Sequence, residues 1–258
     1  QWQSIKSKIE EKVVLFMILE QDKTYQNYIK QNWDLKVIFD SMNFGYFAYR
    51  WKSMPQSISK YLSSNWQQKY LLNKNPLLIF YGLVGDGYYL QGEIESEQFG
   101  QEDWLSANSQ YDRFDFISEG DTLNYLFLLP KNLISLANPE QGSWSGRFSL
   151  DTNNRFSSNR VVDYNPLTQR FEQNYTFQRW IKDIQQDFAS RIQWSLTEEF
   201  NLVNHYPIVE APDKVLVNPG ETVQLKVKAK DLNNRPLSYD WWIYYEVSTY
   251  WDFTDLNL

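Results

Sequence analysis

The stretch at 12–19, Lys-Val-Val-Leu-Phe-Met-Ile-Leu, constrains the fold more than any other. It is a short apolar run rich in β-branched residues and bounded by charge. A strand buried on both faces reads this way, because neither face tolerates a polar alternation. Such strands occur at the centre of parallel sheets covered by helices, so the run predicts an α/β domain. A second strand is expected at 35–39, Leu-Lys-Val-Ile-Phe. Ligands of open α/β sheets collect outside the carboxyl ends of the strands, which draws attention to Glu20 and Asp22; the alternative is a solubilising loop, with Asp22 capping a helix.

The strongest helix signal lies at 177–194. Phe177, Trp180, Ile181, Ile184, Phe188 and Ile192 recur at helical spacing and make one apolar face. Asp187 and Arg191, four apart, are placed to pair. Beyond Pro207 the period changes. Pro207 and Pro212 break the helical pattern, and 207–214 reads as a linker. Val215-Leu216-Val217, a turn at Asn218-Pro219-Gly220-Glu221, and the alternation Val223, Leu225, Val227, Ala229 read as strand, turn, strand, with a third strand at 237–245. These predict a small all-β immunoglobulin-like sandwich at 215–258 after an α/β domain at 1–206. Both domains are expected to be incomplete, since the chain opens on Gln1 without a leader-like pattern and stops soon after an aromatic strand.

Composition narrows the chemistry. A net charge of −7 leaves no basic stripe for phosphates, which argues against nucleic acid or an anionic membrane as partner. No apolar run is long enough to span a bilayer. With no cysteine there is no disulfide, thiolate metal site or cysteine nucleophile, and the single histidine, His205, excludes a multi-histidine metal cage. Gly82, Gly85 and Gly87 lack the spacing and the Lys-Ser or Lys-Thr pair of a phosphate loop.

Two segments carry candidate chemistry. In Glu119-Gly120-Asp121-Thr122 a glycine between two acids lets the chain turn so that oxygens face one point, an arrangement suited to hard cations or polyols. The alternative is a solvated turn or a helix cap. In Gly142-Ser143-Trp144-Ser145-Gly146-Arg147, Trp144 and Arg147 either offer a sugar an aromatic face and a fork of donors, or pack over a glycine turn. His205 is expected to fix the domain junction by hydrogen bonds. Trp241, Trp242 and Trp251 are candidates for a stacking platform, although strand alternation would send Trp241 and Trp242 to opposite faces and one of them into a core.

The segment at 119–148, the helix containing Gln186-Asp187-Phe188-Ala189-Ser190-Arg191, the element Asn204-His205-Tyr206-Pro207 and the closing Tyr239-Asp240-Trp241-Trp242 occur in one order. Together they resemble a family of mostly bacterial, secreted proteins with a nucleoside-hydrolase-like domain followed by a small β-sandwich, some described as cellulose-binding. The resemblance implies an open sheet with flanking helices and a secreted or periplasmic location. It implies calcium as cofactor, with Asp121 as a metal ligand and Glu119 as a supporting carboxylate or partner of a substrate hydroxyl. Leu123 and Asn124 depart from the Pro and Ser of many relatives. The aspartate cluster with which nucleoside hydrolases hold calcium has no match here, and the resemblance implies that it lies upstream of Gln1. Two functions stay open: a glycosidic-bond hydrolase using a calcium-activated water on a carbohydrate or nucleoside-like molecule, or a non-catalytic cellulose- or polysaccharide-binding protein on the same fold.

Overall fold

The computed structural model describes residues 5–20, 23–48, 51–72, 76–81, 121–129 and 136–249. After a short helix α1 (Lys6–Ile9), the apolar run forms β1 (Val14–Ile18), which pairs in parallel with β2 (Lys36–Asp40), Phe16 opposite Ile38. Both expected strands are present. The connection between them includes a π-helical turn, Tyr25–Ile29, and α2 (Lys30–Asn32). Two short strands extend the sheet, β3 (Ser149–Leu150) and β4 (Phe156–Ser157), in the order β1-β2-β4-β3 with only β3 antiparallel. The described architecture is thus mixed α/β with a small open sheet.

The apolar residues divide between two packing centres. On one sheet face Phe16 and Ile38 meet Phe127 and Phe148, and the three rings contact one another at 5.6–5.9 Å in tilted or edge-on pairs, the geometry aromatic quadrupoles favour. Phe127 comes from the helix at Thr122–Leu128, in which Leu123, Leu126 and Phe127 are buried at helical spacing. The main core gathers Phe47 from α3 (Asn43–Ala48), Ile58 from α4 (Gln56–Ser59), and Leu62, just before α5 (Ser64–Tyr70). It also takes Leu123 and Leu126 from the Thr122–Leu128 helix, α6.

The helical stripe predicted at 177–194 is real but interrupted. It runs through α7 (Tyr175–Gln178) and α8 (Ile181–Trp194), and the chain tightens between them, where the Trp180 amide bonds the Phe177 carbonyl at 3.0 Å. The buried face continues across the break through Phe177, Ile181, Ile184 and Ile192. Asp187 and Arg191 pair at 2.9 Å.

Past Pro207 the ladders are sparse. A hairpin, β5 (Asp163–Asn165) with β6 (Arg170–Glu172), precedes α7; after α8 the described strands are β7 (Ile208–Glu210) and β8 (Lys228–Lys230), paired antiparallel. β7 falls in the stretch read as linker. Among the described residues past Pro207, β7 with β8 is the ladder seen. Val215, Leu216, Val217, Val223 and Leu225 are exposed and outside any ladder. An alternation supplies an apolar face, but a strand also needs a neighbour for its backbone groups. The predicted turn does close: the Glu221 amide bonds the Asn218 carbonyl at 3.1 Å, and Gly220 sits at φ +85°, where a side chain would be strained.

Candidate functional site

Asp121 stands at the N-terminal boundary of α6, exposed, with no side-chain bond to the helix start. Glu119 and Trp251 lie outside the described residues. Among the described residues no three carboxylate or histidine side chains converge as a metal shell would require. Hard cations such as calcium take six or more oxygens, so a site at Asp121 would need donors beyond those described around it.

Trp144 and Arg147 occupy a tight turn. Ser143 and Gly146 exchange backbone hydrogen bonds at 2.9 and 3.0 Å, and the Ser143 hydroxyl meets that of Ser145 at 2.7 Å. Gly146 is at φ +104°, and a Cβ there would come within 2.9 Å of Thr176 Oγ1 and 3.0 Å of Asn43 Nδ2. The close approach requires glycine. Trp144 is only 8% exposed and belongs to the main core.

Arg147, 7% exposed, has every nitrogen engaged by the protein. Nε donates to Asp163 at 2.7 Å, Nη1 to the Glu140 and Glu246 carbonyls at 3.3 and 3.2 Å, and Nη2 to the Val162 carbonyl at 3.0 Å. Asp163, fully buried, also accepts from Arg179 at 3.0 Å and from the Tyr244 hydroxyl at 2.8 Å. Glu246 approaches Arg179 at 3.6 Å and accepts from the Tyr164 amide at 2.9 Å. Burial, and then the Asp163 charge, hold the Tyr244 phenol far above its ordinary pKa, so it stays a donor. The cluster is a closed joint that ties the 244–246 turn to β5 and α7, and sequence reasoning had not connected its members.

Asp40, at the carboxyl end of β2 where ligands of α/β sheets gather, is also occupied internally. Its carboxylate accepts from the Asn43 and Phe44 amides at 3.3 and 3.1 Å, capping α3. Burial raises its pKa, and these amide bonds, with one from Ser158, partly offset the rise. His205 hydrogen-bonds through its backbone: its amide donates to Asn233 Oδ1 at 3.3 Å, and its ring stacks on Phe200 at 3.6 Å. Neither Trp241 nor Trp242 enters a core; both are about half exposed, because 241–242 is not a strand and alternation does not operate there.

An open groove of about 1020 Å³ lies between α5 and α8. Ser63 caps α5, accepting from the Trp66 amide at 3.4 Å. Four-residue spacing then puts Trp66 and Tyr70 on one face, ring centres 4.9 Å apart, with Tyr61 edge-on to Trp66 at 6.4 Å. Lys60 and Lys69 hold their ammonium groups 5.1 and 4.9 Å from the Tyr61 and Tyr70 rings. The opposite wall presents Gln186, Ser190 and Gln193, the polar side of α8, with Asn204 beyond them. Among the described residues lining this groove there is no carboxylate. Half-exposed rings facing amides and hydroxyls suit a polyol: sugar C–H faces pack on the rings while hydroxyls exchange hydrogen bonds with the amides. The Trp66 and Tyr70 spacing was a readable signal; its pairing with α8 was not.

The nucleoside hydrolase-like domain of cellulose-binding Sde182 matches residues 2–148. A solved structure, a nucleoside hydrolase-related hypothetical protein from Saccharophagus degradans associated with carbohydrate metabolism, aligns with a TM-score of 0.53 at 18% identity. The alignment covers 92% of this chain and 50% of that one, so this chain spans about half its length, and the likeness is one of fold. No curated protein matches. With more than half of its residues matched, the chain belongs to the nucleoside hydrolase-like domain family of cellulose-binding Sde182.

Proposed function

We propose that this protein binds polysaccharide without cleaving it, holding the chain in the groove between α5 and α8. The observation that carries this is the lining itself: Trp66, Tyr70 and Tyr61 face Gln186, Ser190 and Gln193, with no carboxylate among them. The cellulose-binding description of the family supports a glucan as ligand. The test is retention of the full-length protein on insoluble cellulose, comparing wild type with Trp66→Ala. Retention lost in the folded variant is the expected result; unchanged retention would remove the groove from consideration.

A second reading, a calcium-dependent glycosidic-bond hydrolase acting on a carbohydrate or nucleoside-like molecule, rests on Asp121, whose exposed carboxylate makes no cap bond to α6. Glu119 would support it. Calorimetry on the full-length protein checks this: calcium affinity that collapses in Asp121→Asn, together with nucleoside or glycoside hydrolysis, favours the enzyme. Insoluble polysaccharide is met outside the cytoplasm, which supports a secreted or periplasmic protein. The alternation Val223, Leu225, Val227, Ala229 supports an immunoglobulin-like sandwich at 215–258.

A further inference from the structure

We infer that the glycan site continues beyond Asn204 into a second cleft, so that it holds an extended glucan segment of several sugars. This rests on the reading of the α5–α8 groove just given. A cleft of about 330 Å³ adjoins the larger groove, and Ser190 and Asn204 line both. Ser190 comes from α8, while Asn204 sits on the segment leading to β7, so one polar seam joins the two spaces.

The second cleft again sets rings beside polar groups, and it adds the Asp231 carboxylate and the His205 ring. Trp194, His205 and Tyr206 supply rings: Trp194 lies nearly parallel to His205 at 5.6 Å, and Tyr206 meets Trp194 edge-on at 5.5 Å. The rings are held in place. Trp194 Nε1 donates to the Asn204 carbonyl, and His205 Nε2 lies 2.9 Å from the Phe200 carbonyl. Arg235 directs Nε and Nη2 at Asp231, at 3.1 and 2.6 Å, and its half-exposed head keeps Nη1 for a ligand hydroxyl. The Asp231 carboxylate, held down at about 2 chiefly by its bond from Arg235, stays ionised and committed to that pair.

Size points the same way. Pockets of about 300–1,000 Å³ already enclose a drug-sized ligand. The larger groove alone is at the top of that range, so a nucleoside or monosaccharide would leave most of the two spaces empty. A chain threaded through both would touch α5 and α8 at one end and the 231–237 loop at the other.

Calorimetry of the full-length protein with cellotetraose and cellohexaose tests this, with thermal melts to establish that each variant is folded. Wild type should bind the hexaose about tenfold more tightly than the tetraose, the effect of one further modest set of contacts. Tyr206→Ala should abolish that gain while leaving tetraose affinity within about twofold, and Tyr206→Phe, which keeps the ring, should restore it. Equal affinity for both lengths in wild type, or a gain unaltered by Tyr206→Ala, overturns the second cleft and leaves the groove reading standing. Binding of neither sugar overturns both.

Discussion

The joint around Asp163 and the groove between α5 and α8 are built from similar residues and do opposite things. Each combines aromatic rings with cations and hydrogen-bonding groups. In the joint, Arg147 and Arg179 converge on a carboxylate with no exposure, and Tyr244 closes the remaining side. In the groove, Lys60 and Lys69 rest on ring faces without a carboxylate among the described lining residues, and Tyr70 is 38% exposed. Saturation of the Arg147 donors in the first leaves none of them for a ligand, whereas partial exposure in the second leaves rings and amides to bind one. A Trp-Arg motif therefore says little about recognition until the destination of each donor is known.

The largest effect expected is on stability, at the joint. Asp163→Ala strands the buried Arg147 guanidinium and the partly buried one of Arg179, and should cost about 3–5 kcal/mol, the loss typical of breaking a buried ion pair on one side. Urea unfolding measures it; a loss below 1 kcal/mol would mean that the joint is not the closed structural unit described. Trp66→Ala in the groove should do the reverse. Glucan affinity should fall by on the order of 1–2 kcal/mol with little change in melting temperature, because the ring is only half buried. A variant that unfolds would erase the contrast between the two regions.

A smaller effect is expected at Asp40. Asp40→Ala removes the cap of α3 and should cost about 1 kcal/mol. Its folded pKa is raised by burial, so the folded state binds the proton more tightly than the unfolded one. Its contribution to stability is therefore greatest in acid and is lost as pH rises from about 3.9, the unfolded value, through the folded value. Asp40→Asn, which keeps a capping oxygen, should flatten that fall in a pH series of denaturation curves. The smallest effect belongs to Arg191→Gln on the open side of α8. The 2.9 Å pair with Asp187 has a guanidinium 41% exposed, and its loss should cost no more than about 0.5 kcal/mol. A larger loss would show that this wall of the groove is held as tightly as the joint.

Features written in local periodicity were legible in the sequence. The runs that became β1 and β2, the apolar stripe through Phe177, Ile181, Ile184 and Ile192, the Asp187–Arg191 pair and the turn at Gly220 each depend on residues a few positions apart. The alternation at 223–229 was equally visible, yet β8 covers only Lys228–Lys230, because a ladder is completed by a partner strand and not by its own pattern. For the same reason Trp144 and Arg147 were visible as a motif but not as a buried turn: Arg147 finds its partners at Glu140, Val162, Asp163 and Glu246, only the first of which is nearby in the chain. The groove depended on packing in the same way. Helical spacing put Trp66 over Tyr70 and Gln186 in line with Ser190 and Gln193. Only the packing of Leu62 and Leu72, which flank α5, and of Ile181 and Ile184 from α8 in a shared core turned the two polar-aromatic faces toward one space. Local sequence determined which faces exist, since backbone geometry repeats over a few residues; tertiary structure decided which face meets protein and which is left to meet a ligand, since that depends on contacts between elements far apart in the chain.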